Sequence, residues 1–97
     1  MIDLIPVAVY GSGGHGKVVA DVANCQGIYA VTCFVDDDGS KAGATIWGYP
    51  VLHGLDGLLR ARDEAPALAA VVAIGSNEFR LSIAARLVDE GVPLITA

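Results

Sequence analysis

Basic residues are scarce in this 97-residue chain: six lysines and arginines stand against eleven aspartates and glutamates. The formal net charge is −5, and the cations are scattered along the sequence rather than clustered. Proteins that bind nucleic acid through its phosphates need a basic patch to neutralise them. The composition therefore argues against nucleic acid as a partner.

Long apolar runs and a leader-like start are also missing. No apolar run approaches the roughly 20 residues that a membrane-spanning helix needs. The first residues include neither the basic segment nor the small-residue cleavage site of a secretory signal. We therefore expect a cytoplasmic protein without a membrane partner.

Cysteine is rare, and Cys25 and Cys33 are spaced neither like a redox pair nor like a zinc site. Because both lie in or beside apolar segments, we interpret them as small buried hydrophobic residues in a reducing compartment. Beyond the aspartate run at residues 36–38, no histidine or carboxylate has a spacing that favours metal binding, so no metal site is predicted.

Apolar residues make up 54% of the chain, enough for the core of one small domain over residues 1–97. They form short segments in which strand-like and helix-like patterns alternate, which predicts an α/β fold with a parallel sheet. We interpret residues 39–54 as a loop that could contain a hairpin. The predicted strands cover residues 5–10, 29–35, 70–74 and 92–95, and the predicted helices cover residues 15–26, 55–62 and 78–90.

Helical spacing also predicts which side chains face the core. In the first helix these are Val18, Val19, Val22 and Ala23. In the second helix they are Leu55, Leu58 and Leu59. In the third helix they are Phe79, Ile83, Ala84, Leu87 and Val88.

A glycine-rich segment, Gly11 to Lys17, lies between the first predicted strand and the first predicted helix. Gly11, Gly13 and Gly16 fit the pattern G-x-G-x-x-G. Glycine lets the backbone turn sharply and approach a ligand closely, and the first N–H groups of a helix attract anions. The segment therefore predicts a phosphate site, although a tight strand–helix turn without a ligand has the same pattern.

Two side chains in this segment have alternative roles. His15 lies near the phosphates or else caps the start of the helix. Lys17 pairs with a phosphate as a point charge or else is a solvated lysine on the first helical turn.

Two further segments follow predicted strands and are expected at the same edge of the sheet, where open α/β sheets bind ligands. Asp36 stands twenty residues after Gly16, where a dinucleotide-binding domain has the acid that binds a ribose hydroxyl. The alternative is ordinary turn chemistry for the run of aspartates. Gly75 permits close backbone approach, and Asn77 either donates to a ligand or caps the next helix.

Two aromatic residues, Trp47 and Tyr49, flank Gly48 in the predicted loop. They either cover the core beneath the loop or stack on a base.

Four blocks in order resemble the N-terminal domain of the NeuD/PglD-type sugar O- and N-acetyltransferases. They are VYGSGGHGKVVADVA at residues 9–23, FVDD at 34–37, GYPVL at 48–52 and VAIGSNEFR at 72–80. The resemblance covers essentially the whole chain. It implies a small Rossmann-like three-layer domain with a parallel four-stranded sheet that binds a nucleotide sugar, often a UDP-linked amino sugar.

The resemblance also implies roles for individual residues. Gly13, Gly14 and His15 would contact the diphosphate and the sugar, and Asp36 and Asp37 would hold the nucleoside. Gly75 would lie against the nucleotide. The full set of predicted substrate-binding residues is Gly11, Gly13, Gly14, His15, Gly16, Lys17, Asp36, Asp37, Gly75 and Asn77.

Members of this family continue into a left-handed β-helix of hexapeptide repeats, which binds acetyl-CoA, carries the catalytic histidine and forms a homotrimer. The present sequence ends at Ala97 without such repeats. We therefore expect a fragment or an isolated binding module with no catalytic residue and no cofactor of its own. Acetyl-CoA and the trimer are implied for the full-length enzyme only.

Two other functions stay open at this point. The glycine pattern and Asp36 also permit an NAD(P)-binding module of a dehydrogenase or redox sensor. The chain is short for a dinucleotide fold with two nucleotide halves. A ligand-free interaction module that uses residues 47–52 as a contact patch is the third interpretation.

Overall fold

The computed structural model describes residues 3–95, so the expectations about the two chain ends concern residues outside this range. Within the range, the chain forms five strands and three α-helices, with a short 3-10 helix at Gly39–Lys41. The strands are β1 (Ile5–Tyr10), β2 (Tyr29–Asp36), β3 (Thr45–Ile46), β4 (Tyr49–His53) and β5 (Ala69–Val72). The helices are α1 (Gly14–Cys25), α2 (Gly54–Glu64) and α3 (Asn77–Asp89).

The strands form one sheet in the order β3-β4-β2-β1-β5. β1 is paired in parallel with β2 and with β5, and β2 is paired in parallel with β4. The strands β2 to β4 therefore lie on one side of β1, and β5 lies on its other side. The strand order reverses at β1, and ligands bind at such a reversal, beyond the carboxyl ends of the strands.

Helices cover both faces of the sheet, which gives three layers. Successive residues of β1 alternate between two buried clusters, one beneath α1 and one beneath α2 and α3. Val7 and Val9 belong to the first cluster, and Ala8 and Tyr10 belong to the second. This pattern is typical of a parallel sheet that is covered on both sides.

The Rossmann-like α/β class is confirmed, but the number of strands was predicted incorrectly. The sheet has five strands instead of four, because residues 45–53 form the β3–β4 hairpin and β4 also joins the parallel ladder. Pro50 obscures this strand in the sequence. It lies before Val51, the first residue of β4 that pairs with β2, so its missing N–H is not needed there.

The predicted strand at residues 92–95 is reduced to a single parallel bridge between Leu94 and Ala70. The N–H of Ala70 donates to the Pro93 carbonyl over 2.8 Å, and the N–H of Ile95 donates to the Ala70 carbonyl over 2.9 Å. Pro93 has no N–H to extend the ladder. The fourth parallel strand is instead β4.

The predicted face of α1 is correct in part, since Ala23 is buried and Val19 packs against the core. Gly16, Ala20 and Ala23 face the sheet, whereas Val18 and Val22 are 61% and 42% exposed. Periodicity alone favoured the larger apolar side chains. The small residues are buried because they let α1 approach the sheet closely.

The predicted faces of the other two helices are correct in part. Leu55 and Leu58 of α2 are buried as expected. In α3 the buried residues are Ile83 and Leu87, whereas Phe79 and Val88 are exposed. Phe79 lies in the first turn of α3, and Val88 lies near the end of the helix.

Tyr49 covers the core beneath the hairpin, with its ring edge-on to Phe34 at a centroid distance of 6.2 Å. Trp47 is 62% exposed in the turn between β3 and β4. Because β4 runs parallel to β1, this turn lies at the opposite edge of the sheet from the glycine segment. Stacking of Trp47 on a base bound at the glycine segment is therefore excluded.

The two cysteines have different environments, so the prediction that both are buried is correct only for Cys33. Cys25 is exposed at the end of α1, and both thiols are free. Burial raises the pKa of the Cys33 thiol, which keeps this side chain an inert part of the core.

Candidate functional site

The glycine segment forms a tight connection between the central strand β1 and helix α1. The N–H of Gly11 donates to the Val35 carbonyl of β2 over 2.7 Å. On the other side, the N–H of Ala73 donates to the Tyr10 carbonyl over 2.8 Å. The segment is thus held between the ends of the two strands that flank β1.

Two of its glycines are required by close backbone contacts. Gly11 has φ +120°, and an added Cβ would lie 2.5 Å from the Ala73 carbonyl oxygen. A Cβ on Gly16 would lie 1.9 Å from the Gly11 carbonyl oxygen. These contacts let the first turn of α1 lie directly on the segment, as a third glycine does in nucleotide-binding folds.

Gly13 and Gly14 are in the opposite situation, because a Cβ on either would meet no atom of the described chain within 4 Å. Gly13 precedes the helix with φ −75°, which side chains tolerate. The first helical donor is the N–H of Lys17, which reaches the Gly13 carbonyl over 3.1 Å. The preceding amides of Gly14, His15 and Gly16 therefore have no helical acceptor and form the positive end of the helix dipole.

Of these three residues, Gly14 and His15 line a crevice of about 340 Å³, which we call the glycine-loop crevice. The loops after β1, β2 and β5 meet there, as the sequence predicts for the carboxyl ends of these strands. The lining includes no lysine or arginine of the described chain, so an anion would depend on backbone amides and His15. Seven of the ten predicted residues line the crevice, namely Gly11, Gly13, Gly14, His15, Asp36, Asp37 and Gly75.

The other three predicted residues lie outside the crevice. Gly16 is buried beneath the loop, and Lys17 is partly buried in the first turn of α1 without lining the crevice. Asn77 is exposed at the start of α3, where its side-chain oxygen accepts a hydrogen bond from Arg80. The capping role predicted for Asn77 is wrong, because α3 begins at Asn77 itself and its N-cap residue, Ser76, forms no side-chain capping hydrogen bond within residues 3–95.

Asp36 lines the crevice with both carboxylate oxygens engaged inside the protein. Oδ2 accepts a hydrogen bond from the buried Ser12 hydroxyl and lies 3.6 Å from Lys41 Nζ. Oδ1 accepts from the Asp38 amide over 2.9 Å. Burial alone would raise the pKa of Asp36, but the Ser12 and Asp38 hydrogen bonds and the Lys41 charge bring the pKa below its ordinary value.

Removal of the Ser12 hydroxyl is expected to destabilise the protein in a pH-dependent way. Ser12→Ala should lower the free energy of unfolding at pH 7 by about 1.5 kcal/mol, the lower end for a hydrogen bond to a charged group. Because the folded pKa of Asp36 is depressed, this stabilisation is present above the ordinary carboxyl pKa of about 4 and is lost as the pH falls through the lower folded value.

Urea unfolding at pH 7 and at pH 2 measures this difference. Ser76→Ala is the control, since that hydroxyl caps no helical N–H of the described chain. An equal loss of stability at both pH values in Ser12→Ala would contradict the assignment of the effect to the charged Asp36.

Asp37 differs from Asp36 because it is exposed and only its Oδ1 atom accepts a hydrogen bond, from a buried tyrosine, within the described residues. The Tyr10 hydroxyl donates to Asp37 Oδ1 over 2.6 Å. Burial, and then the neighbouring Asp37 carboxylate, raises the pKa of Tyr10 well above its usual range, so the hydroxyl stays protonated. Asp37 is therefore a positioned carboxylate at the mouth of the crevice.

Sequence reasoning missed three contributors to the site: Tyr10, Ser12 and Phe79. Tyr10 and Phe79 were assigned only to the core, and Ser12 was not considered. A signal for Ser12 was present, because it is the first side chain after Gly11 and must point either into the ligand site or into the fold. Here it points to Asp36.

Two features are absent from the part of the chain that the structure describes. Residues 3–95 bring together no group of three or more histidine, cysteine, aspartate or glutamate side chains that could hold a metal ion. No helix in this range is long and apolar enough to span a membrane.

Solved structures with this fold include proteins of different activities. UDP-D-quinovosamine 4-dehydrogenase from Vibrio fischeri has a TM-score of 0.82 at 19% identity, covering 95% of this chain and 76% of the dehydrogenase chain. RSP in complex with beta-NADH has a TM-score of 0.73 at 16% identity, covering 92% of this chain and 43% of RSP. At these identities the similarity concerns the fold alone.

A more similar sequence is the acetyltransferase domain of PglB from Neisseria gonorrhoeae, solved in complex with acetyl coenzyme A. It is 32% identical with a TM-score of 0.68, and the match covers 93% of this chain but only 42% of the PglB chain. A search of curated proteins finds no match. The family model of the PglD N-terminal domain matches residues 6–87, which include β1 to β5 and most of α3. The chain therefore belongs to the family of PglD N-terminal domains.

Proposed function

We propose that this chain is the nucleotide-sugar-binding domain of an acetyl-CoA-dependent sugar acetyltransferase, and that its ligand is a UDP-linked amino sugar. The observation that carries the proposal is the glycine-loop crevice itself. Free amides at the start of α1 and the carboxylates after β2 meet there, at the point where the strand order reverses. Family membership and the similarity to the PglB acetyltransferase domain supply the enzyme class.

The crevice is suited to a diphosphate that carries a neutral group at either end. The amides of Gly14 and His15 donate to phosphate oxygens, with about half a positive charge from the helix dipole. The net charge of −5 disfavours non-specific anion binding, so affinity depends on this geometry. The carboxylate of Asp37 accepts from the hydroxyls of a ribose, which a phosphate alone does not have.

In this proposal the chain holds and orients the sugar but performs no bond-making step. Acetyl-CoA would be bound by another part of the enzyme, where the amine or hydroxyl of the sugar would attack the thioester. The contribution of these residues is proximity, because they present the nucleophile in a fixed position. No catalytic role is assigned to His15, although it lines the crevice.

An NAD(P)-binding module is the second candidate, favoured by the same glycine loop and by the RSP fold similarity. The sheet argues against it. A dinucleotide fold has two nucleotide-binding halves, whereas the parallel part of this sheet includes only β4, β2, β1 and β5. The place of a second nucleotide half is thus missing from the described residues.

Calorimetric titration of the chain with UDP, UDP-N-acetylglucosamine, NAD and NADP tests the proposal. We expect both uridine ligands to bind, and to bind at least tenfold more tightly than either nicotinamide ligand. Preferential binding of NAD or NADP would overturn the proposal in favour of the second candidate. The absence of binding by all four would favour an interaction module.

A further inference from the structure

The carboxylates of the glycine-loop crevice are unexpected in a site for a diphosphate. Asp36 and Asp37 both line the crevice, whereas no lysine or arginine of the described chain does. A carboxylate and a phosphate repel each other, and the repulsion is several times stronger in a partly buried site than in bulk water. A diphosphate site with two carboxylates in its lining therefore needs a positive charge close behind them.

Lys41 supplies a positive charge behind one of these carboxylates. Its Nζ atom lies 3.6 Å from Asp36 Oδ2, which also accepts the hydrogen bond from the Ser12 hydroxyl. Within residues 3–95, this is the one ion pair that a crevice-lining residue forms. Lys41 itself does not line the crevice, so its charge acts on a ligand there through Asp36.

The 3-10 helix Gly39–Lys41 fixes the backbone of this lysine. The Asp38 carboxylate accepts hydrogen bonds from the Ser40 amide over 3.0 Å and from the Ser40 hydroxyl over 2.7 Å, which caps the helix. The N–H of Lys41 donates to the Asp38 carbonyl over 3.0 Å, and the N–H of Ala44 donates to the Lys41 carbonyl over 3.2 Å. Because hydrogen bonds hold Lys41 on both sides, its side chain extends from a defined position.

Asp36 has a structural task for which its charge is needed. Its Oδ1 accepts from the Asp38 amide over 2.9 Å, and its Oδ2 accepts from Ser12, so the carboxylate connects this turn to the glycine segment. Its side chain is only 17% exposed, and solvent therefore screens its charge weakly. Lys41, whose side chain is 50% exposed, balances that charge from the solvent side.

The remaining basic residues are not placed for this task. Among the described residues, none of the other lysines and arginines lines the crevice or forms an ion pair with either of its carboxylates. This includes Lys17, the cation nearest in sequence to the glycines, which lies in the first turn of α1. The geometry thus favours a lysine that the sequence pattern did not single out.

We propose that Lys41 is a positioning residue of the diphosphate site, whose ammonium group neutralises Asp36 so that this carboxylate joins the two loops without repelling the phosphates. This inference rests on the proposed function. It gives Asp36 a role in shaping the crevice, since both of its oxygens are engaged within the protein. It also makes affinity for the diphosphate depend on a residue outside the lining.

Removal of the ammonium group tests the assignment. Lys41→Met keeps an unbranched side chain but not the charge, and we expect it to raise the Kd of UDP and of inorganic pyrophosphate about five- to twentyfold, as for one unit charge acting at short range. Lys41→Arg keeps the charge and should bind both ligands nearly as the unaltered chain does. Arg80→Met is the control, because it removes the same charge from α3 outside the crevice and should change neither Kd. Calorimetry at low ionic strength measures these values with the least screening.

A double variant distinguishes this electrostatic role from a merely structural one. In the chain with both Asp36→Asn and Lys41→Met, the carboxylate charge that the lysine balances is removed as well. We expect its affinity for pyrophosphate to return close to that of the unaltered chain, which is the coupling that a double-mutant cycle detects. A structural role predicts that the double variant binds no better than Lys41→Met. Circular dichroism checks that both variants are folded.

The outcomes separate this inference from the proposed function. An unchanged Kd of UDP in Lys41→Met, or a folded double variant that binds pyrophosphate no better than Lys41→Met, would overturn the role of Lys41 and leave the proposed function intact. If the unaltered chain binds neither UDP nor UDP-N-acetylglucosamine, the proposed function fails, and the role of Lys41 fails with it.

Discussion

Gly16→Ala is expected to lower the free energy of unfolding by about 3 kcal/mol, at the upper end of typical overpacking costs. The added methyl group would lie 1.9 Å from the Gly11 carbonyl oxygen, an atom fixed by the backbone. The Gly11 backbone cannot shift away easily, because its N–H donates a hydrogen bond to the Val35 carbonyl. For a domain of this size, the loss corresponds to a melting temperature about 12–24 °C lower.

Gly14→Ala is the matched control for this experiment, since it makes the same chemical change two residues earlier. No atom of the described chain lies within 4 Å of the new methyl group. The helical position of Gly14 should make the substitution neutral or stabilising by about 0.5 kcal/mol, because alanine loses less conformational entropy on folding. Thermal unfolding measures both variants. Equal melting temperatures for Gly16→Ala and the unaltered chain would show that α1 does not need its close approach.

Gly13→Val is expected to weaken UDP binding by at least 100-fold without unfolding the protein. Its backbone is extended, which valine adopts readily, and the space around its Cα is free of atoms of residues 3–95. The new side chain would occupy the place where phosphate oxygens approach the amides at the start of α1. A 100-fold loss corresponds to about 2.7 kcal/mol of binding free energy.

Ala42→Val provides the control, because it adds a branched side chain at an exposed, extended position that does not line the glycine-loop crevice. Calorimetry should detect UDP binding to this variant with unchanged affinity. Circular dichroism should show intact secondary structure in both variants. A folded Gly13→Val protein that binds UDP normally would place the ligand elsewhere on the domain.

The glycine loop could be predicted from the sequence because its requirements are local. Gly11 and Gly16 contact each other within six residues, and the free amides depend only on where α1 begins. The convergence of the loops after β1, β2 and β5 followed from one further rule, that parallel strands end at the same edge. The crevice was therefore accessible to sequence reasoning, apart from the positions of Gly16, Lys17 and Asn77.

Features that depend on the distance between elements could not be predicted in this way. Periodicity placed Val18 and Val22 of α1 inward beside Ala23, but the close approach of the helix to the sheet buries Gly16 and Ala20 with Ala23 instead. The cavity of about 770 Å³ between α2 and α3 has no local sequence pattern, because it is the space that remains between two helices whose separation is set by the whole core. The role of Tyr10 was hidden for the same reason, since its partner Asp37 is 27 residues away.

The placement of β1 between β2 and β5 couples recognition to folding. The loops that form the crevice follow three strands that are distant in the chain, and only the pairing of β2 and β5 with β1 brings them together. An unfolded chain consequently offers a ligand no assembled site. By mass action, a ligand at one hundred times its Kd then adds about 2.7 kcal/mol to the stability of the native state.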